Sequence, residues 1–442
     1  MLTRRVSLYQ PPMAPTSTAL PSRRTFDLLF GLLRLRGATI VPLQRAARRL
    51  GIALARGARR TERLAEYAWW SGDAAGAIKH WRMLEQAQPT RAAWPLKIAQ
   101  ALSEGGAMDL AERTLLDARA RGIENEQVGT NILRYGRMVR RSNAALDEAE
   151  AIVADPGASP TRVFFAAFYL MAHNRLETAR AGFTRGLSDK DYGPQARGQL
   201  AATGLLLENR AKGGADVAGW VSPAESSVLV RAPSSDTLVV GFTLPLGTLS
   251  MPMNAVQAML SSKGVNALYL YDSHQLFHLK GTDRFGPGYQ AMLDGIRALA
   301  AELGTRKLIT VGASATGITA LRAAIDLDAD GALLFSGQSL MPADANAINA
   351  RSAYTIERLR ANVLPMMQNM RPLLEAKKPP VRVAFYYSAL NRRDRMHAAN
   401  LAGVPGVTLH PVAGHSRHDC LAEMAARGYR DLLDGFSAKA VS

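Results

Sequence analysis

Residues 308–321 read Leu308-Ile309-Thr310-Val311-Gly312-Ala313-Ser314-Ala315-Thr316-Gly317-Ile318-Thr319-Ala320-Leu321. An apolar, β-branched run ends at Val311, four small residues follow, and apolar residues then recur at helical spacing. The stretch predicts a strand, a tight turn and a helix. Such a turn is strained, and Gly312 and Ala313 must be small for the helix to pack closely on the strand. Ser314 stands at the apex with its hydroxyl outward, as a candidate nucleophile. The N–H of Ala315 lies at the helix start, where a developing oxyanion is stabilised. In the usual Gly-x-Ser-x-Gly spacing a glycine follows two places after the serine; here Thr316 stands there and Gly317 comes next.

Outward from this turn, short β-branched runs alternate with longer helical stretches. Strands are expected at 237–243, 265–271, 307–311, 331–335, 381–387 and 406–412, with residues 223–235 a linker or first edge strand. Helices are expected near 252–263, 288–303, 315–327, 394–402 and 419–435. This alternation implies βαβ units and a mostly parallel sheet covered by helices. Chemistry in such a sheet sits at the carboxyl ends of its strands.

Two of those ends carry further titratable groups. The strand Val381-Arg382-Val383-Ala384-Phe385-Tyr386-Tyr387 runs into a loop and Asp394. The last strand runs into Ala413-Gly414-His415-Ser416-Arg417-His418-Asp419. Serine, acid and histidine therefore follow in the chain order that a triad on this kind of sheet requires. On these residues the C-terminal half, roughly 235–435, resembles the α/β-hydrolase superfamily of serine esterases and acyltransferases. It looks most like a compact bacterial branch with histidine before a final helix ending in Arg-Gly-x-x-x-Leu-Leu, here Arg427 to Leu433.

The resemblance implies Ser314 as nucleophile, Asp394 as orienting acid and His418 as base, with His415 the alternate base. His418 is preferred because it abuts the final helix, which Asp419 is expected to cap. The resemblance also implies a second oxyanion donor from the backbone at Thr243 or Leu244, although the segment from Gly241 to Gly247 lacks a Gly-Gly-Gly run. The reaction implied is hydrolysis of an acyl ester, an acylated carbohydrate among the candidates. O-acyl transfer uses the same residues, and a non-catalytic scaffold with an inactive hydrolase-like domain is the reading from another class.

Asp272 ends a strand on the same edge, where it could hold a substrate hydroxyl or His274, or simply make a turn. His410, His415, His418 and Cys420 match no paired zinc-ligand spacing, so no metal and no cofactor is expected. Met341, Met366, Met367 and Met370 fall between two strands, as an adaptable cap or as plain core.

The first half is built differently. Ala77, Ala111, Ala145 and Ala179 recur every 34 residues, each followed four places on by Trp81, Leu115, Ala149 and Phe183. Ala68, Leu102, Gly136 and Leu170 keep the same register nine places before, with turn residues such as Gly72-Asp73 and Gly105-Gly106 between. A small residue at a fixed place lets two helices approach, and each hairpin leaves an apolar face for its neighbour to bury. The stretch from Trp69 to Trp81, closed by Pro89, resembles a tetratricopeptide repeat, and the likeness runs over about residues 61–195. It implies a surface for docking a protein partner or for self-association.

The chain has 442 residues, 48% hydrophobic and 21% charged, which excludes a mostly disordered or fibrous chain. Its lone cysteine, Cys420, excludes a disulfide framework. Of the net charge of +17, residues 1–60 carry most, with 12 arginines against the single acid Asp27. The apolar stretch there is interrupted by Arg34 and Arg36, a poor secretory signal and a possible seat on anionic lipid. No aromatic-interleaved basic motif or groove-reading module accompanies the charge, which argues against nucleic acid. The expected organisation is a basic arm (1–60), a tetratricopeptide-like helical domain (61–215) and an α/β-hydrolase-like domain (223–437) in a cytoplasmic protein, peripheral at a membrane if the arm engages lipid.

Overall fold

The computed structural model describes residues 52–53, 55–136, 143–190, 192–212, 219, 226–232, 234–244, 247–260, 264–272, 276–341, 367, 369–429 and 432–433. Most of the basic arm, His274 and Met366 lie outside the described residues. Contacts divide the chain into two compact units, residues 1–89 with 346–356, and residues 90–345 with 357–442.

In the first unit, helices α1 (Gly57–Ser71) and α2 (Ala74–Ala87) form a hairpin. Gly72 breaks α1 in the left-handed conformation, φ 91°, and the Asp73 carboxylate accepts the Gly76 N–H at 2.8 Å to start α2. Trp69 and Trp81 meet across the pair with ring centroids 5.8 Å apart.

The second unit opens with α3 (Ala93–Glu104), α4 (Met108–Ala120), α5 (Glu126–Gly136), α6 (Asn143–Ala154), α7 (Pro160–Ala172), α8 (Leu176–Gly186) and α9 (Gly193–Ala211). Helices α4 and α8 each begin three residues before their 34-spaced alanine. Ala111 and Ala179 are fully buried, as are Leu115, Ala149 and Phe183 one turn on. The side chain of Ala145 lies outside the described residues. Where the spacing is kept, it is therefore a buried seam between paired helices.

A seven-stranded sheet follows. Its strands are β1 (Ser227–Val230), β2 (Thr237–Phe242), β3 (Asn266–Leu270), β6 (Lys307–Ala313), β7 (Gly331–Phe335), β8 (Arg382–Ser388) and β9 (Val407–Val412), while β4 (Gly281–Thr282) and β5 (Gly286–Pro287) make a separate small hairpin. The order is β1-β3-β2-β6-β7-β8-β9, with β1 antiparallel to β3 and every other pair parallel. Residues 223–235 thus supply an edge strand rather than only a linker. The helices are α10 (Met253–Leu260), α11 (Tyr289–Glu302), α12 (Gly317–Asp326), α13 (Arg371–Ala376), α14 (Arg392–Leu401) and α15 (Cys420–Ala426). The final helix is shorter than the sequence suggested, because Gly428 turns left-handed at φ 82°.

Alternate residues of each strand enter different cores, as the twofold period of a strand requires. Val239, Val311 and Leu333 pack with Phe183, Met253, Val256 and Leu421, so the helical hairpins of this unit and one sheet face share a core. Leu238, Val240, Leu334 and Phe385 pack on the other face with Ile296, Leu321 and Leu401. Burial on both faces is why these strands read as continuous apolar runs. Met341, Met367 and Met370 belong to the second core, so these three are packing residues and not an open cap.

Candidate active site

Strand β6 ends in the turn that the sequence singles out. Ser314 adopts φ 47°, a left-handed conformation that costs an L side chain about 1 kcal/mol or more. A Cβ on Gly312 would meet the Thr316 carbonyl oxygen at 2.4 Å and the Ala320 methyl at 2.8 Å, so the helix after the turn can close on the strand only over a glycine. The displaced second glycine also has a physical cause. A Cβ on residue 317 would lie 2.5 Å from the Gly337 Cα, the point where the next strand's turn crosses, so glycine is required there. At 316 threonine is useful, since its hydroxyl accepts the Ala313 N–H at 3.2 Å and donates to the Ala313 carbonyl at 3.1 Å.

Two strands away, β8 delivers the acid. The Asn391 side chain caps α14, accepting N–H bonds from Arg393 and Asp394 at 3.0 and 3.1 Å, which fixes Asp394 in the first turn. The same side chain donates to the Ser416 carbonyl at 3.0 Å, and the Leu390 N–H donates to the His415 carbonyl at 2.9 Å. These bonds lace the acid loop to the histidine loop.

Ser314 Oγ consequently lies 2.7 Å from His418 Nε2, and His418 Nδ1 lies 2.5 Å from Asp394 Oδ1. With the ring proton on Nδ1 facing the carboxylate, Nε2 is left to accept the serine hydroxyl. The Asp394 side chain is fully buried, whereas 26% of His418 is exposed, so the serine end is the one open to solvent. Burial pushes the Asp394 carboxyl up. It is outweighed by the hydrogen bond and charge of His418, by the Ser336 hydroxyl and by the Ser388 N–H, and the carboxyl titrates below its ordinary range.

His415 is committed elsewhere: its Nε2 meets Asp419 Oδ1 at 2.7 Å and its Nδ1 faces Glu423 at 3.6 Å. Asp419 makes no side-chain cap on α15, because its carboxylate is taken by His415 and by Arg417 at 3.9 Å. The expected cap is thus replaced by a hydrogen bond between Asp419 and the His415 ring.

The oxyanion expectation needs correction. The Thr243 N–H donates to the Leu270 carbonyl at 3.0 Å and the Leu244 N–H to the Thr248 carbonyl at 2.8 Å. The backbone after β2 continues its pairing with β3 and then closes on itself, so neither N–H is offered to a ligand. Ala315 is the middle residue of the 3-10 turn Ser314–Thr316 that leads into α12.

Asp272 follows β3, is 3% exposed, and its Oδ1 has no hydrogen-bond partner among the described residues. Buried His278, which the sequence reading did not single out, bonds the Thr243 carbonyl through Nε2 at 3.3 Å. Burial lowers its affinity for a proton despite the nearby charge of Asp272. His410 stacks on Tyr386 at 4.5 Å, and buried Cys420 donates to the Tyr386 carbonyl with its thiol pushed up by burial. Among the described residues no group of three His, Cys, Asp or Glu side chains converges as metal ligands, and no helix is long and apolar enough to cross a membrane.

No protein-family model matches the chain, and no curated protein matches it in sequence. Solved structures similar to it include a carboxylesterase of the thaumarchaeon Nitrososphaera gargenis, at 16% identity over 48% of this chain and 93% of that one, TM-score 0.34. An α/β hydrolase from a sediment metagenome of the Mar Chica lagoon, Morocco, is 13% identical over 48% of this chain and 94% of that one, TM-score 0.33. The capsule O-acetyltransferase of Neisseria meningitidis serogroup A is 12% identical over 46% of this chain and 88% of that one, TM-score 0.34.

Proposed function

We propose that the chain is a serine esterase or acyl hydrolase whose triad is Ser314, His418 and Asp394. The observation that carries this reading is the continuous hydrogen-bond relay from the strained Ser314 hydroxyl through His418 to a buried, ionised Asp394. Ser314 Oγ attacks an ester carbonyl as its proton passes to His418 Nε2, and the Ala315 N–H faces the oxyanion. The imidazolium returns the proton to the departing alkoxide, leaving an acyl-serine. Water then attacks the acyl-serine in a second round of the same transfers. Asp394 stays ionised throughout, holding the tautomer and balancing the positive ring.

An acceptor hydroxyl in place of water makes the same site an O-acyltransferase. An acylated carbohydrate is the proposed substrate class; Asp272, 3% exposed, is too buried to meet it. The 34-residue helical spacing supports a tetratricopeptide-like docking surface, and the arm of residues 1–60 an electrostatic seat on anionic lipid. One observation favours a non-catalytic scaffold instead, namely the engagement of the Thr243 and Leu244 N–H groups within their own loop.

A fluorophosphonate probe separates the two readings. Labelling of the full chain that disappears in Ser314→Ala is the result expected of the enzyme. Folded protein that takes no label would establish the scaffold. Turnover of a panel of acyl esters, with water or a sugar hydroxyl as acceptor, then distinguishes hydrolysis from transfer.

A further inference from the structure

Strand β7, beside the nucleophile strand, ends in a second serine turn, Ser336-Gly337-Gln338. We infer that Ser336 is a positioning residue for the triad: its hydroxyl fixes the Asp394 carboxylate in the orientation that directs Oδ1 at His418. The inference rests on the triad reading given above.

Ser336 Oγ donates to Asp394 Oδ2 at 2.5 Å, and the Ser388 N–H donates to that same oxygen at 3.1 Å. Oδ1 is left to His418. A buried carboxylate held at one oxygen by two donors cannot rotate without leaving one of them unpaired. Ser336 is anchored in turn by its own N–H, which donates to the Tyr386 carbonyl of β8 at 2.8 Å.

The backbone shows that the hydroxyl is the reason for serine here. Ser336 has φ 47°, the same value as Ser314. Glycine occupies that region freely, while any L side chain is strained in it. Strain of this kind persists where the side chain returns something, and this hydroxyl makes a charge-assisted bond to an ionised group. At 2% exposure the residue meets no solvent-borne substrate, so its part is support and not attack.

The turn also touches the other end of the relay. The Gln338 N–H donates to the Ser314 carbonyl at 2.8 Å, and Gly337 abuts Gly317. Three consecutive residues therefore brace both the acid and the nucleophile. The titratable groups around Asp394 are His418 and Cys420 from the loop and helix after β9, and Arg393 and His397 from α14.

The test compares Ser336→Ala with Ser336→Gly in the full chain. Both delete the hydroxyl, and the glycine also relieves the backbone. Both are expected to lose about 10- to 100-fold in kcat with KM within about twofold. A readout free of turnover is the downfield proton signal between His418 Nδ1 and Asp394, identified by its loss in Asp394→Ala; it should shift or exchange away in both variants. A signal unmoved in both overturns the inference, and so does full activity in Ser336→Gly. If the signal moves but wild-type protein takes no fluorophosphonate, the triad reading has failed while the hold of Ser336 on Asp394 stands.

Discussion

Ser314 and Ser336 close neighbouring parallel strands with the same backbone angle, yet one faces a partly exposed imidazole and the other a buried carboxylate. After Ser314 the chain makes a short 3-10 turn and enters α12, leaving the hydroxyl at the rim of the sheet. After Ser336 it crosses against Gly317 and carries its hydroxyl inward. Identical local strain thus serves two purposes, and the partner that the sheet order brings up decides which. A strained serine is a nucleophile candidate only when base and solvent meet at it.

The largest expected effect tests the first turn. His418→Ala should lose on the order of a thousandfold or more in kcat on any ester the protein turns over, while His415→Ala loses under about tenfold. The reverse ranking would break the relay as drawn, since it would leave the histidine paired with Asp419 as the base.

Next comes acid stability around the second turn, whose continuation Ser339 donates its N–H to His397 Nδ1 at 3.3 Å. Burial, reinforced by the charges of Arg393 and His418, pushes His397 down to about 4. Its folded value lies below the unfolded one, so the unfolded chain takes up the proton first. Stability is therefore full above about pH 6.5 and falls as pH drops toward 4, by up to about 3 kcal/mol. Asp394, whose carboxyl is depressed, extends the loss further into acid, because its contribution is present above the unfolded value near 3.8 and fades below it. Urea melts between pH 7 and 4 measure this, and His397→Gln should flatten the upper part of the curve. An unchanged slope in that variant would assign the acid loss to other groups.

Smaller effects probe the contact between the turns. Gly317→Ala should destabilise by roughly 2 kcal/mol, since its methyl has only the Gly337–Gln338 backbone to displace. Thr316→Gly restores the commoner spacing yet should cost about 1 kcal/mol, because two hydroxyl bonds to Ala313 are lost. Denaturant titration ranks the two. Were Thr316→Gly the more harmful, hydroxyl bonding and not close approach would dominate this junction.

Much of this was legible in the chain. Strands buried on both faces announce themselves as apolar runs, and all six expected strand runs are strands, with β6 extending two residues further, to Ala313. The positions of Ser314, Asp394 and His418 follow from the same reading, because each comes shortly after a recognisable strand, Ser314 and His418 in turns and Asp394 in the first turn of α14. Of the residues on the 34-residue spacing, Ala77, Ala111, Ala179, Leu115, Ala149 and Phe183 are buried, as small and apolar residues on the inner face of a helix are.

Other features depended on partners that no local pattern specifies. Nothing near Thr243 and Leu244 says that their N–H groups bond to Leu270 and Thr248. The choice between His415 and His418 turned on Asp419 and Glu423 drawing one ring aside, and on Asn391 tying the two loops together. Ser336 had the outward sign of a small-residue turn after a strand, but its meaning came only from Asp394, 58 residues on. Sequence determines which residues alternate, turn and pack, since those are local preferences summed along the chain. Which hydroxyl reaches which base is settled by strand order and loop register, because a hydrogen bond forms or fails within a few tenths of an ångström.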